Sequence, residues 1–179
     1  MEKEYFISGT KANKFMILLI IPIVLIAVLP YLFIWGTGHL NISDPISFML
    51  QALFLFITLI LSFILHELIH GISWRCFVQN GWKSLKFGIL WNQMMLYCHC
   101  EEPLTARQYR IGLLMPTIIL GIIPIVIAWT TGSGFLLAYG IIMTAGGGGD
   151  LMIYGLMSKV NSDTMVKDYP KEIGFTVEE

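Results

Sequence analysis

Apolar residues in this chain come in long unbroken runs, not in the alternation of a half-buried strand or the striped period of a soluble helix. Residues 15–35, FMILLIIPIVLIAVLPYLFIW, carry no charge, and neither do residues 46–65, ISFMLQALFLFITLILSFIL. Each is about as long as a helix must be to cross the roughly 30 Å hydrocarbon core of a bilayer. Two further runs follow, at about 111–129 and 135–157, and the second run continues through polar residues toward Arg75. The pattern therefore predicts four transmembrane helices, at about 15–35, 46–75, 111–129 and 135–157. Pro22 and Pro30 are tolerated in the first because neighbouring helices satisfy the freed backbone groups.

The period changes between the second and third runs. In GWKSLKFGILWNQMMLYCHCEE (81–102), the short apolar-rich runs Leu85–Leu90 and Met94–Cys98 flank Trp91, Asn92 and Gln93, which predicts a small β-hairpin at the membrane surface. A sheet edge is not left bare to lipid. The strands pair with each other, pack on the helices, or accept an extended peptide as an added strand. A plain interfacial hairpin anchored by Trp82, Trp91 and Tyr97 fits the residues equally well. The expected fold is an all-α polytopic membrane protein with four transmembrane helices and a small cytoplasm-side β-hairpin between helices two and three.

Composition agrees. The 179 residues are 56% hydrophobic and 13% charged, with a mean hydropathy of +0.73, so 1–179 reads as a single membrane-embedded domain in contact with the lipid bilayer. A net charge of -1 gives no footprint for nucleic acid. The 11 lysines and arginines are informative by position. Lys3, Lys11 and Lys14 precede the first run; Arg75, Lys83, Lys86, Arg107 and Arg110 lie between the second and third; Lys159, Lys167 and Lys171 follow the fourth. The positive-inside rule then places both termini and the 75–110 segment on the cytoplasmic side of a cell membrane. The first run is too long for a signal-peptide core and reads as a retained anchor. Cys76, Cys98 and Cys100 fall on the cytoplasmic side, where thiols stay reduced, so no disulfide framework is expected.

Candidate chemistry sits where the second run turns polar: His66-Glu67-Leu68-Ile69-His70. On a helix the two histidines stand one turn apart on one face, able to hold one Zn²⁺ while Glu67 lies beside them as a general base. The bland alternative is a polar helix end with Glu67 reaching the headgroups. Catalytic zinc usually takes three protein ligands. Runs one and three contain no Asp, Glu, His or Cys, and run four contains only Asp150. His66 lies nine residues before Arg75 and Asp150 nine before Lys159, so both fall about 13 Å below the same face at 1.5 Å per residue. The preceding glycines, Gly146 to Gly149, favour local unwinding and predict close approach of the backbone near Asp150 to the motif helix. Other readings of the third ligand stay open: Asp150 as a helix cap, or His99, Glu101 or Glu102 as the ligand. Cys98-His99-Cys100 lacks the spaced second pair of a structural zinc site and reads as strand.

Four segments carry a resemblance: HELIHG at 66–71, KFGIL followed by CHCEEPLTARQYR, the apolar helix around Pro116, and GGGGDL at 146–151. Together they resemble a bacterial family of zincin-type peptidases of unknown function, distantly similar to the site-2 intramembrane zinc metalloproteases. The resemblance covers most of 50–170 and implies an aspartate on a late core helix as third ligand, which maps to Asp150. The chain departs from the site-2 pattern in having Leu151 and Met152 after that aspartate and no preceding Asn-Pro, and in lacking a PDZ-like domain.

The reading is a zinc-dependent membrane-embedded endopeptidase acting on a membrane-protein or peptide substrate. In it His66, His70 and Asp150 hold the metal, and Glu67 takes a proton from water and passes it to the leaving amine. The rival is a non-catalytic metal-binding membrane scaffold for a transmembrane partner. Glu67 argues against the rival, since a binding site has no use for a base. Metal transport is weaker, because the opposite side offers only His39 and Asp44.

Overall fold

Helices follow the apolar runs. The computed structural model describes residues 3–7, 9–37, 45–91, 95–169 and 173–177; within it α1 covers Gly9–Trp35 and α2 Pro45–Arg75. The third run is one helical rod from Ala106 to Thr131, made of α3 (Ala106–Pro116), a π-helical turn (Thr117–Ile122) and α4 (Ile123–Thr131). The fourth is broken at Gly147. There α5 (Gly134–Gly146) meets α6 (Gly148–Leu156), which a 3-10 turn extends to Lys159, at a bend of 44°. Among the described residues, three helices are long and apolar enough to cross a membrane, or four if the bent pair is one span.

The third helix begins at Ala106, inside the TARQYR stretch that reads as its cytoplasmic start and five residues before the apolar run at 111, because Thr105 caps it. Its hydroxyl accepts from the Gln108 N–H at 3.3 Å, and the Gln108 side chain accepts from the Thr105 N–H at 3.0 Å. This capping box lets the polar ARQYR segment join the apolar helix. Of the loop expected at Gly36–Pro45, residues 38–44, with His39 and Asp44, lie outside the described residues, as do Asn92, Gln93 and Met94 at the hairpin tip and Lys171.

The all-α expectation needs correction. The hairpin is present, as β2 (Leu85–Leu90) antiparallel to β3 (Met95–Cys100), with Leu85 opposite Cys100 and Gly88 opposite Tyr97. A second, four-stranded antiparallel sheet was not expected. It joins β1 (Lys3–Ile7), β6 (Ile173–Val177), β5 (Met165–Asp168) and β4 (Leu104–Thr105) in that order. Its outer pairing links the two ends of the chain, Tyr5 opposite Phe175. Because β1 leads into α1, β4 into α3, and β5 follows α6, the sheet gathers those three helix ends on one side of the molecule.

Packing divides by solvent. On that side an interior core joins both sheets to the helix ends through Trp74, Cys98, Cys100, Leu104, Tyr109, Met157, Val166 and Phe175. Away from it, the outward faces of α1 and α2 are apolar and open, with Phe33 92% exposed and Met49 70%. Such faces suit lipid and are unsuited to water. Buried polar groups on α1 and α4 are matched instead: Tyr31 donates its hydroxyl to Gly132 O (2.6 Å), and Trp129 donates its indole N–H to Ala27 O (2.8 Å).

Candidate metal centre

One helical turn on α2 brings His66 and His70 to the same side, ring centroids 4.9 Å apart. The break at Gly147 lets α6 start afresh, so that Asp150 falls in its first turn. The Asp150 carboxylate then lies 3.0 Å from His66 Nε2 and 3.4 Å from His70 Nε2 through the same oxygen. One ligand atom from each residue falls within 4.8 Å of the others. The side chains are 11%, 5% and 18% exposed, respectively, so the cluster is sheltered but not sealed from water.

The donor set fits zinc. Ligand atoms around a tetrahedral ion at about 2.0–2.1 Å stand about 3.3–3.4 Å apart, close to the spacings found. The His70 tautomer also fits. Its Nδ1 donates to Gly112 O at 2.9 Å, which leaves Nε2 with a free lone pair facing Asp150. The ring is held from behind as well, stacked on Trp74 (5.2 Å, 16°), which stacks in turn on Tyr109 (5.1 Å, 7°). A side chain on Gly112 would occupy the space of the Trp74 indole. Glycine there is what allows carbonyl, indole and imidazole to meet.

Glu67 is half-buried beside the cluster and faces the backbone N–H of Cys98 on β3. The direction of that N–H is decided by strand parity. Cys100 N–H goes to Asp168 and Glu101 N–H goes back to Ser84 O next to β2. Even-numbered residues of β3 therefore aim their backbone away from β2. The outer edge of β3 runs past Glu67.

The other candidate ligands are committed elsewhere. His99 Nδ1 is 2.7 Å from Asp168, whose second oxygen accepts from Tyr109 at 2.7 Å. Glu101 lies 3.8 Å from Lys86. Glu102 accepts from the N–H groups of Gln79 and Asn80, the Asn80 side chain and the Ser84 hydroxyl, and these bonds lower its pKa to about 2. Cys98 and Cys100 belong to the interior core, and the Cys98 sulfur packs against Gly71. Burial pushes both thiols up, Cys100 to about 11. The glycine run also acts differently from expectation. Gly147 abuts Thr117 of the third helix, whereas a side chain on Gly146 would only reach Phe63 of α2 at 3.9 Å.

Residues 59–165 match the family described as "Putative zincin peptidase". The chain belongs to this family. The matched stretch contains the three residues of the cluster and Glu67, and a zincin family implies zinc. The chain is also 32% identical over 120 residues to an uncharacterized 24.7 kDa protein of Pyrococcus woesei, a match that takes in 64% of this chain and 51% of that protein. It thus spans about half the length of that relative. No solved structure matches. Gly112, Trp74 and the Cys98 N–H have no counterpart in the sequence reading. A backbone carbonyl or amide has no residue-type signature, and nothing in sequence sets Trp74 apart from the other four tryptophans.

Proposed function

We propose that this zincin-family protein is a zinc-dependent, membrane-embedded endopeptidase, resembling site-2 proteases, that cleaves membrane or membrane-associated proteins. The observation that carries this reading is the convergence of His66, His70 and Asp150 with Glu67 beside them, on helices apolar enough to lie in a membrane, where polar groups are costly without a function. His66, His70 and Asp150 hold the metal. When bound, zinc supplies Lewis acidity to polarise the scissile carbonyl and to make water a stronger acid. Glu67 receives the proton of the attacking water and returns it to the leaving amine. The Gly112 carbonyl keeps His70 in the tautomer that presents Nε2.

The one-sided lysines and arginines support an orientation in which the two sheets and both termini face the cytoplasm, with the four helical segments as spans and 1–179 as one functional unit. Water reaches the cluster from that side. Glu67→Gln tests the reading, because it keeps size and hydrogen bonding but removes the base. Zinc content and folding stay near wild type, while cleavage falls at least about a hundredfold and uncut membrane proteins accumulate in a proteome-wide comparison of fragments. Cleavage at the wild-type level would leave a metal-binding scaffold as the function.

A further inference from the structure

Thr117 is 2% exposed, and its hydroxyl is the buried side-chain oxygen without a hydrogen-bond partner among the described residues. Other helical threonines here close on themselves: Thr58, Thr131 and Thr144 each donate to the carbonyl four residues back, at 2.8, 2.8 and 2.7 Å. Thr117 opens the π-helical turn and does not. A π-turn inside a helix often marks a functional position.

The hydroxyl is aimed at the start of α6. Its oxygen is the atom nearest to where a side chain on Gly147 would begin, and Gly147 is the N-cap of that nine-residue helix. No side chain caps it. The first intrahelical bond there runs from Leu151 N–H to Gly147 O, so the N–H groups of Gly148, Gly149 and Asp150 form the uncapped first turn. Beside Gly149 there is open space, since a side chain built there meets no atom within 4 Å. Asp150, in the same turn, carries its carboxylate into the ligand cluster. The opposite flank of the cluster is Gly112 O, five residues before Thr117 on the same helix. A buried donor packed on Gly147 and a first helical turn without a side-chain cap thus lie within three residues of Asp150, the ligand that this turn carries.

We propose that the Thr117 hydroxyl and the first-turn amides of α6 form the oxyanion pocket of this peptidase. This rests on the peptidase reading and assigns it a further catalytic residue. Water oxygen bonds to the scissile carbon as its proton passes to Glu67, and the carbonyl π pair moves onto oxygen. Thr117 and the Gly148 and Gly149 amides donate to that oxyanion. When the pair returns, the C–N bond breaks and the nitrogen takes the proton from Glu67. Donors fixed in a dry site need no reorganisation as charge develops, and losing one typically costs about 10²–10³ in kcat.

The test uses the full zinc-loaded chain in nanodiscs, with a phosphinic peptide bearing apolar side chains as a stable tetrahedral anion and a quenched-fluorescence transmembrane peptide as substrate. Thr117→Val keeps shape and removes the donor. It retains zinc, lowers kcat about a hundredfold with KM within about threefold of wild type, and weakens phosphinate binding in parallel; Thr117→Ser recovers most of both. The Gly149 amide resonance of wild type shifts on adding the phosphinate. Glu67→Gln loses cleavage but keeps phosphinate affinity, which separates the two ideas. If Thr117→Val cleaves and binds like wild type while Glu67→Gln is dead, the pocket is wrong and the peptidase stands. If Glu67→Gln cleaves normally, the peptidase reading falls, and equal phosphinate binding by wild type and Thr117→Val overturns the pocket independently. Should Thr117→Val fail to fold, an unshifted Gly149 amide in wild type overturns it.

Discussion

Gly112→Ala places a methyl group where the Trp74 indole stands. Trp74 has little room to yield. It is 2% exposed, stacked between His70 and Tyr109, and donates its Nε1–H to Tyr109 O at 3.3 Å. Overpacking of this kind costs about 1–3 kcal/mol, against which the better helix propensity of alanine returns up to about 1 kcal/mol. Net destabilisation should therefore be modest, about 0–2 kcal/mol when the full propensity gain is realised. The effect on metal should be at least as large. Displacing the helix backbone or the ring breaks the His70 Nδ1 to Gly112 O bond, and loss of an outer-shell partner lowers metal affinity about 10- to 100-fold, or about 1.4–2.8 kcal/mol. Chelator competition in detergent measures the affinity, and thermal unfolding of the metal-free protein measures the stability. Adding Trp74→Phe, whose smaller ring makes room for the methyl, should recover part of both. Zinc affinity within twofold of wild type in Gly112→Ala, or a double variant worse than either single one, would refute the idea that this stacked wall orients His70.

Two further outcomes follow from the same geometry. Asp150→Ala should lose most bound zinc by metal analysis while His99→Ala retains it, since His99 is engaged by Asp168; the reverse result would move the third ligand to the hairpin. Maleimide at neutral pH should modify Cys76, which is exposed, and spare Cys98 and Cys100, which are buried. Because burial raises the folded-state pKa of those two thiols, their thiolate is suppressed at neutral pH and grows only on alkalinisation. All three should react after denaturation, and a second fast thiol in the native protein would mean that β3 does not pack on α2.

Much of the site is local in origin and was legible for that reason. His66 and His70 face one way because a helix turns once in 3.6 residues, whatever surrounds it. The long apolar helices are legible because a helix able to cross a bilayer needs about 20 apolar residues in a row, and no other part of this chain looks the same. Asp150 is the lone carboxylate of the fourth run, and equal depth from Arg75 and Lys159 puts it at the level of the histidines.

What the chain could not state by itself was which distant segments meet. β1 and β6 pair across nearly the whole sequence, Tyr5 opposite Phe175, and neither strand carries a local turn signal to announce its partner, so the expectation was all-α. The glycine run predicted a break but not its neighbour; Thr117 of the third helix fills that place, not the motif helix. The parts of the site supplied by backbone, Gly112 O behind His70 and the Cys98 N–H before Glu67, are chemically identical at nearly every residue. Residue type and period determine local conformation and candidate ligands, whereas the orientation of a carbonyl or amide toward a side chain 31 to 42 positions away in the chain exists only once the helices and strands have packed.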